Sequence, residues 1–247
     1  MTATYDGVPC IELAARLRTP GLLCLDEVGS TLDVVHELAG EGAPAGTVVV
    51  ADAQTRGRGR QGRPWHSPAG TGVWLGYLVR ARGEPPTGVL ALRVGMTVAD
   101  ALRTLGPTVR LKWPNDVLLD DRKLAGVLCE ARETRGDRWV AVGIGMNVHG
   151  PLPAALGRSA VALEEWLPHV RRVDVLEALL PPLQRIALDP ELSPAECERF
   201  ADLDWLRGRV VDEPLQGTAC GVAPDGALLV RTVSGTSRVT GGSVRAA

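Results

Sequence analysis

The segment TRGRGRQGRPWHS (55–67) interleaves Arg56, Arg58, Arg60 and Arg63 with Gly57, Gly59 and Gly62. Arginine presents a rigid fork of N–H donors suited to carboxylate or phosphate. Glycine lets backbone approach a ligand closely. Together they can grip an anion with a pliable loop, although a solvated basic loop would use the same letters. GRGRQG (57–62) also has the spacing G-x-G-x-x-G and follows a predicted strand. A dinucleotide site needs a helix to open beneath the pyrophosphate, and Pro64, Pro68, Gly70 and Gly72 exclude one here. The chain has no G-x-x-x-x-G-K-[ST] phosphate loop, so side chains and loop amides would have to hold a nucleotide.

Two more stretches carry chemistry. KWPNDVLLDDRKLAG (112–126) sets a Trp-Pro-Asn-Asp turn between two strands, and Lys123 follows eleven positions after Lys112. Taken alone, Asn115 and Asp116 would serve a turn and Lys123 a hairpin edge. GIGMNV (143–148) puts glycines inside a predicted strand, which marks either a bulge or close backbone approach to a ligand.

The elements that must position these residues follow from periodicity and punctuation. Strands are expected at 22–28, 46–55, 72–80, 108–113, 116–120, 123–133 and 139–148. Helices are expected from Ser30-Thr31 to Gly40, over 87–106 (largely apolar and buried), over 174–188 with Pro181 and Pro182 interrupting, and over 194–202 behind the Ser193…Glu196 capping box. Residues 151–170 look irregular. Consecutive strands imply antiparallel pairing, hence an α+β class with a mixed, largely antiparallel sheet flanked by helices. From about residue 206, short strand-like pieces divided by glycine predict a small β-barrel or meander, giving modules 1–205 and 206–247.

Composition limits the setting. The chain has 247 residues, 45% hydrophobic and 23% charged, with net charge −2. A near-neutral chain gives no reason to expect nucleic acid or a membrane as partner, so the arginine cluster reads as a site. Cys10, Cys24, Cys129, Cys197 and Cys220 form no C-x-x-C pair and suit reduced thiols. No apolar run has the length of a membrane span, and the first residues lack a signal pattern. A cytoplasmic location is the expectation, and the oligomeric state is left open.

In the order GST (29–31), QTRGRGRQGRPW (54–65), KWPND…KLAG and GIGMN (143–147), followed by a β-rich tail, the chain resembles the biotin protein ligases from about residue 20 to its end. The resemblance implies a catalytic domain followed by an SH3-like barrel. It also implies two half-reactions: ATP and biotin give biotinyl-5′-adenylate, and a lysine of a biotin carboxyl carrier domain then takes the biotinyl group. Mg²⁺ is expected with ATP, with no carboxylate cluster to mark its ligands. Ser30, Thr31, Gln54, Gly57, Arg58, Gly59, Arg60, Lys123 and Gly126 match biotin-pocket positions. Arg58, Arg60, Arg63, Trp65, Lys112, Asn115, Asp116, Lys123 and Asn147 match adenylate-side positions, with Lys123 and Arg60 catalytic.

The chain departs from the family pattern at Leu32, where asparagine is usual, and at Arg56, where a small residue is usual. Some members carry a DNA-binding winged helix of roughly 60 residues ahead of the catalytic domain. About 20 residues precede the first expected strand here, so a monofunctional ligase is expected. The competing readings are a lipoate ligase or lipoyl transferase, which shares the fold and the chemistry, and a non-enzymatic sensor. The Arg-Gly loop is expected to be mobile until a ligand orders it, because Trp65 is its one large apolar anchor.

Overall fold

The computed structural model describes residues 3–81, 83 and 85–246; the outer module limits expected at 1 and 247 lie outside the described residues. The chain opens with a hairpin of β1 (Thr4–Tyr5) and β2 (Val8–Pro9), then helix α1 (Cys10–Leu17). The sequence reading assigned nothing here. The signal was an Asp6-Gly7 turn, where both residues have positive φ, followed by Leu13 and Leu17 one helical turn apart, both buried.

The central sheet has seven strands: β3 (Leu22–Val28), β4 (Val48–Gln54), β5 (Gly72–Ala81), β6 (Arg110–Lys112), β7 (Asp116–Leu119), β8 (Arg122–Thr134) and β9 (Asp137–Asn147). Their spatial order is β3-β4-β5-β9-β8-β7-β6. Only β3 and β4 run parallel, joined by helix α2 (Thr31–Gly40); the other pairs are antiparallel. The mixed, largely antiparallel sheet is as expected. Helices α3 (Thr87–Leu105) and α4 (Arg172–Leu183) join α1 on one face. Val73, Leu75, Val142, Ile144 and Met146 of the sheet face them in one large core. Helix α2 covers part of the other face, packing Leu32, Val35 and Ala39 on Val49, Leu78, Trp139 and Ala141. Helix α4 ends sooner than expected, at Leu183, with Pro181 and Pro182 inside its last turn.

Helix α5 (Pro194–Leu203) starts at Ser193, whose hydroxyl accepts from the Glu196 amide as the capping box requires. Strands β10 (Val210–Glu213), β11 (Gly217–Val222), β12 (Leu228–Thr232), β13 (Gly235–Val239) and β14 (Arg245–Ala246) form a second sheet, ordered β13-β12-β11-β10-β14. Its edge strands β13 and β14 do not pair with each other, so this sheet is open; a small β-barrel or meander was expected, and an SH3-like barrel by resemblance. Residues 151–170 are irregular as expected, apart from 3-10 turns at Ala154–Ser159 and Leu163–Glu165. Among the described residues no helix is long and apolar enough to cross a membrane.

Candidate active site

Side chains alternate across a strand, and that alternation hollows the α2 face of the sheet. Trp139 and Ala141 of β9 meet α2. The next residues on that face are Gly143, Gly145 and Asn147, flanked by Gly76 of β5 and Gly126 of β8. Beyond the N-terminus of α2 the sheet is therefore floored by backbone. A cavity of about 890 Å³ lies there. A Cβ added at Gly145 would lie 2.6 Å from the Trp65 indole nitrogen, and one at Gly143 would lie 3.0 Å from Leu32. All fifteen residues picked out from the sequence line this one cavity.

Lys123 reaches the cavity through a break in alternation. Val117 pairs with Ala125, but Leu118 pairs with Lys123, so Leu124 is the extra residue of a bulge. Leu124 drops into the core and Lys123 turns to the cavity, as bulges re-aim side chains. Its ammonium pairs with Asp116 Oδ1 at 2.6 Å and lies 5.1 Å from the Trp65 ring centre. Asp120 and Asp121, both at positive φ, make the tight turn that returns the chain into β8. Asn115 clasps β8 by donating Nδ2 to the Val127 carbonyl at 2.8 Å, while its own carbonyl accepts from the Val127 amide at 3.0 Å. Asn147 Nδ2 donates to the Val161 carbonyl at 3.3 Å, tying the end of β9 to the irregular segment.

The Arg-Gly loop folds back on itself. The amides of Gln54, Trp65 and Gly59 donate to the carbonyls of Ser67, Gly57 and Arg63, at 3.0, 2.8 and 2.8 Å. Gln54 joins the loop to α2: its Oε1 accepts from the Thr31 amide at 2.9 Å, and its Nε2 donates to Ser67 Oγ at 2.9 Å. Trp65 lies against the glycine floor, and its buried indole N–H has no hydrogen-bond partner among the described residues. Arg60 is half-buried and donates to the Gly242 carbonyl at 3.0 Å, so the second sheet reaches the site. Burial lowers its affinity for its proton, Asp116 opposes that, and Arg63 adds to it.

Arg58, expected to grip an anion, is paired within the protein. It lines the cavity, yet its guanidinium is engaged by protein carboxylates: Nε to Glu130 Oε1 at 2.9 Å, Nη2 to Glu130 Oε2 at 2.8 Å and Nη2 to Asp33 at 2.9 Å. These bonds, with a second from His36, hold the Glu130 carboxyl down to about 2 against the opposing effect of burial.

The sequence reading also missed Trp205, which walls the cavity beside Lys112. Its ring lies 5.4 Å from the Lys112 ammonium and 4.0 Å from the Arg209 guanidinium, and its N–H donates to Asp121 at 2.5 Å. Asp204 sets its position. The Trp205 amide donates to the Leu111 carbonyl on β6 at 2.9 Å, and the fully buried Asp204 accepts from the Leu206 amide at 2.9 Å. The other Asp204 oxygen makes no hydrogen bond of ordinary geometry with any described residue, and burial pushes this carboxyl up to about 6 against the opposing effect of the Leu206 and Arg207 amides. Nothing in the local pattern distinguishes Trp205, because what it contacts is set by the fold.

A glycine-floored cavity on a mixed sheet, with a cationic loop on one side and an amine on the other, defines a protein that brings anionic substrates together. Residues 28–147 match the biotin/lipoate A/B protein ligase family. The chain is 32% identical over 240 residues to the bifunctional ligase/repressor BirA of Bacillus subtilis, covering 88% of this chain and 71% of that protein. It is 38% identical over 129 residues to the biotin–[acetyl-CoA-carboxylase] ligase of Mycobacterium tuberculosis, covering 49% and 47% of the two chains. The biotin protein ligase of Aquifex aeolicus, solved with biotin and ATP, superposes with a TM-score of 0.74 at 28% identity, covering 92% of this chain and all of that one. The chain belongs to the biotin/lipoate A/B protein ligase family, on its biotin ligase side.

Proposed function

We propose that this chain joins biotin to a carrier protein in two steps. A biotin carboxylate oxygen attacks the α-phosphorus of ATP, the bond to the β-phosphate breaks, and pyrophosphate leaves. A lysine amine of a biotin carboxyl carrier domain then attacks the acyl carbon of biotinyl-5′-adenylate. AMP leaves and the amine loses its proton. The observation that carries this reading is the bulge that turns Lys123 into the cavity.

Both substrates of the first step are anions, and negative charge grows on the phosphate as the new bond forms. Lys123 supplies a compact cation on a flexible stem to balance it. Asp116 holds that ammonium until substrate arrives. Arg60 and Arg63 face the adenylate from the loop. Ser30, Thr31, Gln54 and Gly126 border the biotin end, together with the backbone of Gly57, Arg58 and Gly59. Lys112, Asn115, Asp116 and Asn147 border the nucleotide with Trp65. The five-stranded tail is the family's SH3-like module in open form, and the catalytic module ends at about residue 205.

The described residues contain no group of three or more metal-ligating side chains that could hold an ion unaided. They suit a Mg²⁺ ion that arrives on the phosphates, because Mg²⁺ keeps several waters and needs one or two carboxylates. Asp116 is the carboxylate that would meet it. Such an ion would neutralise phosphate charge, and the positioning remains with this chain's residues.

Incubation of a candidate carrier domain with the protein, biotin, ATP and Mg²⁺, followed by mass spectrometry, tests the function. One biotinyl group on one lysine is expected. The same assay with lipoate should leave the carrier unmodified, since the relatives named above are biotin ligases. Pyrophosphate release from ATP and biotin separates an enzyme from a sensor.

A further inference from the structure

Arg58 stands among loop residues that face the cavity, yet its charge is spent on the protein. Glu130 lies on β8 and Asp33 in the first turn of α2, so two elements far apart in sequence converge on one loop arginine. Glu130 is itself held from behind. The Trp139 indole N–H, which can only donate, points at His36 Nδ1 at 2.9 Å. Nδ1 must therefore accept, Nε2 carries the proton, and Nε2 donates to Glu130 Oε2 at 3.2 Å. Trp139 and His36 are both buried. The imidazole has one orientation and one tautomer, and it presents Glu130 to Arg58 in a bidentate geometry.

We propose that Asp33 and Glu130, the latter set by His36 and Trp139, form a docking seat that holds the Arg-Gly loop over the cavity through Arg58. In that role Glu130, Asp33 and His36 are positioning residues. The gripping of anions then belongs to Arg60 and Arg63, and Arg58 is the latch that brings them into place. The Gly57–Trp65 and Gly59–Arg63 backbone bonds make the loop a folded unit, so fixing one side chain fixes its neighbours.

A docked loop lowers the cost of binding. If only a fraction of molecules hold the loop in place, apparent affinity falls by that fraction while the saturated complex is unchanged. Loss of the seat should therefore raise KM and spare kcat. Charge-assisted bidentate pairs are among the stronger hydrogen bonds, so a change of about tenfold is expected.

The test compares the wild type, Glu130→Gln, Arg58→Gln and the double variant. Trypsin should cut the ligand-free variants after Arg56 and Arg60 about tenfold faster than the wild type. The biotin KM for pyrophosphate release should rise about tenfold, with kcat within about twofold. The double variant should behave like Arg58→Gln alone, because Glu130 acts through that residue. Wild-type cleavage rates in both single variants, or effects that multiply in the double variant, would overturn the proposal. If Glu130→Gln lowers Tm, Arg58→Gln carries the comparison, since it changes only the loop's side of the contact. The kinetic arm rests on the ligase reading. Absence of pyrophosphate release by the wild type would reject that reading, while the proteolysis arm would still decide the latch.

Discussion

The Arg-Gly loop and the hairpin of β7 and β8 face each other across the cavity, and they differ in which cation they use. The loop carries four arginines and no lysine; the chain's two lysines are Lys112, at the end of β6 beside the hairpin, and Lys123 on β8. They differ also in how their side chains are placed. The hairpin is set locally: a tight Asp120-Asp121 turn, a one-residue bulge and the Asn115 clasp lie within sixteen residues of sequence. The loop is set from a distance, with Arg58 held from β8 and α2 and Arg60 from the second sheet. The lesson is that a wall built largely from neighbours in sequence can aim an amine into the cavity, with the Val161 amide bracing the Lys123 carbonyl from outside the hairpin. A wall held from a distance can be released by substitutions far from the chemistry.

The hairpin side is tested first, with the largest effect. Lys123→Ala should slow pyrophosphate release by about 10²–10³, the usual cost of removing one donor to growing charge. Lys123 is half-buried and ion-paired, so Tm should change little. A folded variant with wild-type pyrophosphate release would remove Lys123 from the mechanism and leave the bulge without a purpose.

Asp204 is where the hairpin does depend on distant residues, since it seats Trp205 against Lys112 and Asp121. Its carboxyl sits at about 6 when folded, against roughly 3.9 for an ordinary aspartate. A raised folded value means the folded state holds the proton more tightly. Stability from this group is present below about pH 4, is lost between about pH 4 and 6, and is level above. Asp204→Asn removes that dependence. Urea unfolding at stepped pH should show the wild type losing roughly 2–3 kcal/mol relative to the variant between pH 4 and 7. Glu130, with its depressed value, acts in the opposite sense at lower pH; being present in both proteins, it cancels in the difference. Parallel curves would mean that Asp204 is better solvated than its burial indicates.

Gly145 probes the meeting of the two walls. Alanine there places a Cβ against the Trp65 indole and lifts the loop's aromatic anchor from the floor. Overpacking of this kind costs about 1–3 kcal/mol. The KM for ATP should rise about tenfold, at the low end because Trp65 sits on a loop that can shift. Gly126→Ala, whose Cβ would stop 3.1 Å from the same ring, should do less. Equal effects would place the close approach elsewhere.

These contrasts also explain what could be read from sequence. Strands, helices and the KWPND turn carry local signals: alternation, the Ser193 capping box, paired aspartates. The glycines of GIGMN were legible as close approach to a ligand or as tight packing, and the packing partner found at Gly145 is Trp65 of the loop. The Arg58 seat was not legible. Glu130 is one of two acids on β8, His36 looks like an ordinary helix residue, and their meeting exists only once β8, β9 and α2 are packed. The direction of Lys123 was legible by resemblance alone. Ordinary alternation would have turned it into the core, and the bulge that prevents this is visible only in the pairing register.

The smallest expected effect on turnover concerns the choice of arginine over lysine at the loop. Biotinyl-adenylate is an activated acyl group, and it reacts with free amines. Guanidinium stays protonated, so arginines can surround the anhydride without attacking it. In the proposed mechanism Lys123 is committed as a cation to the phosphate, and Lys112 lies against Trp205. Arg63 is exposed, and among the described residues no hydrogen bond or ion pair holds its side chain. Arg63→Lys therefore retains the charge and adds a nucleophile at the cavity's edge. Stability should stay within about 0.5 kcal/mol, as for other exposed sites. The ATP KM should move only a few fold, roughly the worth of a surface charge. With biotin and ATP and no carrier, mass spectrometry should then find biotin on the peptide containing residue 63 of the variant and none on the corresponding wild-type peptide. An unmodified variant that still makes the adenylate would show that the intermediate is sealed from the loop's outer edge. Arginine at that position would then be serving geometry, and the contrast between the two walls would rest on placement alone.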